Sequence, residues 1–204
     1  MAFSFTYPTP LPSTKGWGPG WSAADTTCSA IRPKIKPHPL FAGGVHQDIE
    51  ALVNLLVTEI ERRGYDFQIP GCWGFACRGT KSSSGGTGDT PSFHSWGLAL
   101  DFNAPQNVFG SAESQSDIAA NNRWIVKLMR EYGFYWLGPP IRDWMHFSFV
   151  GNRRDARRMT RKARANLTPS WVVGGVEFKR LTRALRRARY LIEDGREVVK
   201  VRRK

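Results

Sequence analysis

The stretch SFHSWGLALDF, residues 92–102, decides how this chain folds. From Leu98 onward its side chains alternate. Leu98, Leu100 and Phe102 fall on one side of an extended strand, Ala99 and Asp101 on the other. Such a strand is half buried, and its polar face carries Asp101. The pattern recurs in DWMHFSFV, residues 143–150, where Met145, Phe147 and Phe149 share one face and His146 and Ser148 the other. The same period puts Asp143 on the apolar side, so Asp143 reaches the polar face only if it lies in the turn before the strand.

Working outward, HQDIEALVNLLVTEIERRG at 46–64 spaces Ile49, Leu52, Val53, Leu56 and Ile60 as one face of a helix, with Gly64 as its stop. A second helix is predicted over 117–132, with Ile118, Trp124, Leu128 and Met129 facing the core and Gly133 closing it. Residues 66–79, DFQIPGCWGFACRG, read as a strand and turn. The run at 80–92 reads as a small-residue loop without core-forming side chains. Together these predict an α+β domain over 44–150: a small, mostly antiparallel sheet with helices packed on one side and an open polar face on the other.

The flanks differ from this centre. Residues 1–43 form a Pro/Gly/Trp-rich arm, irregular and carrying aromatic anchors that dock on the core or on a partner. Residues 1–150 hold 12 Lys and Arg against 12 Asp and Glu, while residues 151–204 hold 18 against 5. The whole net charge of +13 therefore belongs to a basic extension over 151–204. Within it, RRDARRMTRKARANL is too polar to pack as a helix by itself, and WVVGGVEF is a short apolar stretch. The last segment sets Phe178, Leu181, Leu185, Ala188 and Ile192 on one stripe of a basic helix. Three cysteines, Cys28, Cys72 and Cys77, are too few for a four-thiolate zinc site. They leave a Cys72–Cys77 bridge and free thiols both open. No apolar run reaches the length of a membrane span, and the N-terminal sequence lacks the pattern of a secretion signal.

A hydrolytic zinc site needs three ligands from His, Asp, Glu or Cys, an open position, and a nearby carboxylate to take a proton from water. Of the four histidines, His38 lies in the arm and His46 at a helix start, whereas His94 and His146 flank strands with polar faces. Here the chain resembles the peptidoglycan zinc peptidases. These include D-Ala-D-Ala carboxypeptidases, vancomycin-resistance dipeptidases and phage L-Ala-D-Glu endopeptidases, and they are akin in fold to the hedgehog signalling domain. The family's Ser-x-His-x-x-Gly-x-Ala-x-Asp stands here as Ser92, His94, Gly97, Ala99 and Asp101, and its acid-x-x-His as Asp143 and His146. The resemblance spans about residues 44–150.

It implies Zn2+ held by His94, Asp101 and His146, although the same ligands suit cobalt or manganese. It also implies Asp143 as general base for the attacking water, Arg78 as the group that steadies the scissile carbonyl, and Ser92 as a residue orienting a ligand or the substrate. Ser148 stands where many members carry Glu, His or Gln. The implied function is hydrolysis of a peptide bond in peptidoglycan stem peptides, by endopeptidase or carboxypeptidase cleavage. The alternative is a non-catalytic zinc-containing module that binds peptidoglycan or a protein. The expected setting is a bacteriophage cell-wall-degrading protein, either a virion tail-tip component touching other tail proteins through 1–43 and 151–204, or an endolysin released from the host cytoplasm to the wall. The basic extension is not accompanied by a zinc-finger, homeodomain or single-strand-binding signature, so nucleic acid is not the expected partner. Trp17, Trp21, Trp73 and Trp96 are candidates either for buried anchors or for stacking on glycan rings.

Overall fold

The computed structural model of the chain describes residues 10–81 and 87–167. The stripe predicted over 178–192, the apolar stretch at 171–178, the start of the arm and the middle of the 80–92 run lie outside them. In chain order the elements are β1 (Ile35–Lys36), β2 (Val45–His46), α1 (Gln47–Arg62), β3 (Gly79–Lys81), β4 (Thr87–Pro91) and β5 (Ala99–Asp101). They are followed by α2 (Asp117–Ala120), α3 (Arg123–Glu131), β6 (Phe134–Trp136), α4 (Gly138–Ile141), β7 (His146–Phe149) and α5 (Arg153–Leu167).

The central sheet is antiparallel in the order β5-β7-β6, with Leu100 opposite Phe147 and Asp101 opposite His146. Because opposed residues share a face, this register gathers Leu98, Leu100, Phe102, Phe147 and Phe149 into the core, where Ile49, Leu52, Val53, Leu56 and Ile60 of α1 are also buried. Each such aliphatic side chain contributes about 1.5–3 kcal/mol on burial. The fold is thus α+β, with small antiparallel sheets and packed helices.

Several expectations are revised in detail. Residues 66–79 do not form a regular strand. Apart from Gly79, which opens β3, pairing there shrinks to single bridges at Trp73, one to Ala42 and one to Asp101. Gly74 explains the close passage, since a Cβ on it would sit 2.0 Å from the Gly44 carbonyl oxygen. The 80–92 run is no mere loop: β3 and β4 pair as an antiparallel hairpin, with Gly79 opposite Pro91 and Lys81 opposite Thr87. Backbone pairing needs no apolar side chains, so composition did not reveal it. The second helix breaks into α2 and α3 because Asn121 and Asn122 both turn their amides onto the Asp117 carboxylate at 3.1 Å, drawing side chains back along the chain.

The described parts of the flanks, residues 10–43 and 151–167, pack into the same core. Trp17 is fully buried, its Nε1 donating to the Gly151 carbonyl at 2.9 Å, and Trp96 Nε1 donates to the Gly18 carbonyl at 2.8 Å. Cys28 is bonded to Cys77, and Cys72 is a buried thiol, so no Cys72–Cys77 bridge forms. The polar run at 153–167 becomes α5 by packing Ala156, Met159 and Ala163 against α1, with ion pairs from Arg153 to Asp48 (3.1 Å) and Lys162 to Glu131 (3.0 Å).

Candidate metal centre

His94 is delivered by a 3-10 turn, Phe93–Trp96, which Ser92 caps by accepting the His94 backbone N–H on its Oγ at 3.3 Å. The turn ends at Gly97 in the left-handed region, φ +64°, where a Cβ would stand 2.8 Å from the His46 nitrogen. Glycine is required there on both counts. The chain then enters β5 and places Asp101 beside His146, the first residue of β7.

Three ligand atoms converge. His94 Nε2 lies 3.1 Å from Asp101 Oδ2, His146 Nδ1 lies 3.0 Å from Asp101 Oδ1, and the two ring nitrogens are 3.2 Å apart. All three side chains are buried. The far nitrogens are occupied: His94 Nδ1 donates to the Gly74 carbonyl, and His146 Nε2 is 2.7 Å from Ser148 Oγ. Fixing the outer nitrogen of an imidazole fixes which lone pair faces inward, as metal-binding histidines require. Tetrahedral bonds of about 2.1 Å would separate ligand atoms by about 3.4 Å, so the trio needs only a slight expansion to accept a zinc-sized ion.

Electrostatics couple the three groups to one another. Burial tends to raise the Asp101 carboxyl, but the two imidazoles beside it prevail and hold it well below the usual carboxylate range. Burial opposes charge on His146; the hydrogen bond and charge of Asp101, aided by Asp143, outweigh it and hold His146 above its ordinary value. Asp143 lies outside β7, after Arg142 in a left-handed turn, so the strand period does not apply to it. Its Oδ2 is 3.9 Å from His146 Nδ1, on the metal-facing side. Arg78 precedes β3, half buried, with Nη1 donating to the Gly79 carbonyl at 3.1 Å, and its charge opposes protonation of His146.

The polar face of β5 is more enclosed than alternation suggests: Ala99 and Asp101 are buried as well as Leu100. Sequence reasoning also missed the Gly74 carbonyl, since a backbone acceptor leaves no trace in residue type. Ser148 was legible, two residues from His146 on the same face.

His94, Asp101 and His146, gathered on the polar face of an antiparallel sheet with the Asp143 carboxylate alongside, form a group that could hold a single metal ion, in the pattern of a hydrolytic site. Residues 85–149 match the model of a family described as D-alanyl-D-alanine carboxypeptidase. The resemblance to that zinc peptidase family holds over this segment, about a third of the chain, and the segment contains all three ligand candidates and Asp143. Comparison with curated proteins and with solved structures gives no match.

Proposed function

We propose that this protein is a zinc-dependent peptidase that hydrolyses a peptide bond in the stem peptides of bacterial peptidoglycan. The observation that carries the reading is the convergence of His94, Asp101 and His146 with Asp143 3.9 Å from His146, inside the segment that matches the peptidase family. Zinc in such a site supplies Lewis acidity, activating water and polarising the scissile carbonyl. His94, Asp101 and His146 would hold the ion, with Gly74 and Ser148 orienting the two rings. Asp143, in its turn and partly open to solvent, takes the proton from the attacking water and passes it to the leaving amine. Arg78 offers positive charge where the carbonyl oxygen gains negative charge. Ser92 holds the His94 backbone in its turn.

We further propose a bacteriophage cell-wall-degrading role. It is supported by the likeness of the two motifs to phage endopeptidases and by the excess positive charge after residue 150, which suits attachment in a tail or to the wall. The non-catalytic alternative is disfavoured by Asp143, which faces the ligands and not the apolar layer.

The test is digestion of purified peptidoglycan with mass analysis of the released fragments. Zinc-dependent release that disappears in Asp143→Ala and on chelation is the expected result, and the fragment masses name the bond. Retained zinc with no release from several wall types would overturn the catalytic reading.

A further inference from the structure

The row of side chains that holds the ligands extends one chain segment further. Trp73 and Asp101 exchange both backbone hydrogen bonds, at 3.1 and 2.8 Å, as an antiparallel pair, and Asp101 stands opposite His146 in β7. Directly opposed antiparallel residues project to the same face. Trp73, Asp101 and His146 therefore stand side by side facing the metal position, with neighbouring segments about 4.8 Å apart. Asp143 lies at the His146 end of the row, and Trp73 marks the other end.

Trp73 is 42% exposed, whereas Trp17, Trp96, Trp136 and Trp144 are buried. The other exposed large apolar side chains among the described residues are Ile69, Val108, Phe109 and Ile141. All of them belong to the three segments at this end of the sheet: the one leading to Trp73, the one leaving β5, and the one entering β7. The last two are joined by the Gly110 N–H on the Arg142 carbonyl at 2.8 Å. Exposed apolar side chains on the segments that carry Trp73, Asp101 and His146 are of the kind that marks a binding surface.

We infer that the Trp73 indole is a platform for the face of a sugar ring in the glycan strand that carries the stem peptide; this rests on the peptidase reading above. A pyranose offers a flat patch of C–H bonds with hydroxyls around its rim. A half-exposed indole matches that shape, covering the patch while the rim stays hydrated. The methyl group of an alanyl residue would cover only a small part of the same surface. The placement also limits the substrate: with a sugar on Trp73, one segment spacing from Asp101, the scissile carbonyl lies within one or two residues of the sugar, at about 3.3–3.6 Å per residue. The indole thus selects bonds at the sugar-proximal end of the stem.

The experiment compares wild type, Trp73→Ala and Trp73→Phe on a free stem peptide and on the same peptide attached to its disaccharide, with zinc content measured for each. Trp73→Ala is expected to raise KM for the sugar-bearing substrate about tenfold, leave KM for the free peptide within twofold and leave kcat unchanged, and Trp73→Phe to recover part of the loss. Equal effects on both substrates, or none on either, would overturn the inference. A second readout needs no turnover. Peptide-free N-acetylhexosamine oligomers are titrated into the 15N-labelled full chain, following the indole N–H signal that Trp73→Phe lacks. A shift of that signal supports the platform, and an unmoved signal refutes it. If wild type cleaves neither substrate, the peptidase reading fails, and this titration still decides what the indole binds.

Discussion

The segment from His94 to His146 and the flanks that enclose it are held by different kinds of information. Within the segment, short-range periodicity does most of the positioning: alternation along β5 and β7 sends Asp101 and His146 to one face, and their register puts them opposite each other. The flanks carry no such period. Trp17 reaches Gly151, Lys15 reaches the Val150 carbonyl, Cys28 is bonded to Cys77, and α5 lies on α1, all across long sequence distances. The site is therefore local in sequence, and its enclosure is not. A change in the segment should damage chemistry more than folding, and a change in the flanks the reverse.

The largest separation is expected at Asp101. Asp101→Ala removes the ligand that touches both imidazoles, at 3.1 and 3.0 Å, and should abolish stoichiometric zinc binding and hydrolysis together. Metal content after dialysis, read beside a circular-dichroism spectrum that stays native, checks it. Asp143→Asn should split the two properties, keeping zinc and lowering kcat by about 10²–10⁴-fold, the range of general acid–base catalysis. Equal loss of zinc in both variants would show that Asp143 supports the site and not the proton transfer.

The flanks should respond in stability. Replacing Cys28 and Cys77 by Ser opens a loop with a sequence separation of 49 and should cost about 4 kcal/mol on the chain-entropy scale. Trp17→Ala should cost about 3–5 kcal/mol by leaving a cavity beside His46 and Phe149. Urea midpoints measure both, and zinc affinity of the folded fraction should stay within a few-fold of wild type. A hundredfold weaker affinity in either variant would mean that the enclosure also shapes the site.

This contrast explains what could be read from the chain. The polar faces that carry Asp101 and His146, and the face shared by His146 and Ser148, were legible because each depends on neighbours a few positions away. Asp143 could be read only conditionally, since its place turns on whether the strand begins before or after it; the left-handed Arg142 delays that start. The hairpin of β3 and β4, the Cys28–Cys77 bond and the Gly74 carbonyl were not legible. Each depends on backbone pairing or on partners distant in sequence. The polar helix α5 misled because its apolar side is only Ala156, Met159 and Ala163, small groups whose value appears once α1 is beside them.

The smallest effect expected lies at the seam between the two regions. His46 caps α1 by accepting the Asp48 N–H on Nδ1 at 3.2 Å, while its buried Nε2 has no hydrogen-bond partner among the described residues and its ring meets Trp17 edge-on at 4.9 Å. Burial is the main cause that pushes its pKa down to about 4. Arg153 and Lys34 press the same way, and Asp48 opposes them. The unfolded chain binds this proton near pH 6.5 and the folded chain only near 4. Above pH 6.5 the group leaves stability unchanged. As pH falls from 6.5 towards 4 the unfolded state gains protons first, so stability declines, and below 4 this contribution levels off. His46→Asn keeps a side-chain cap without a titrating ring, and should flatten that decline in urea unfolding at stepped pH. An unchanged slope would assign the acid sensitivity to other groups and remove His46 from the account of how the seam is held.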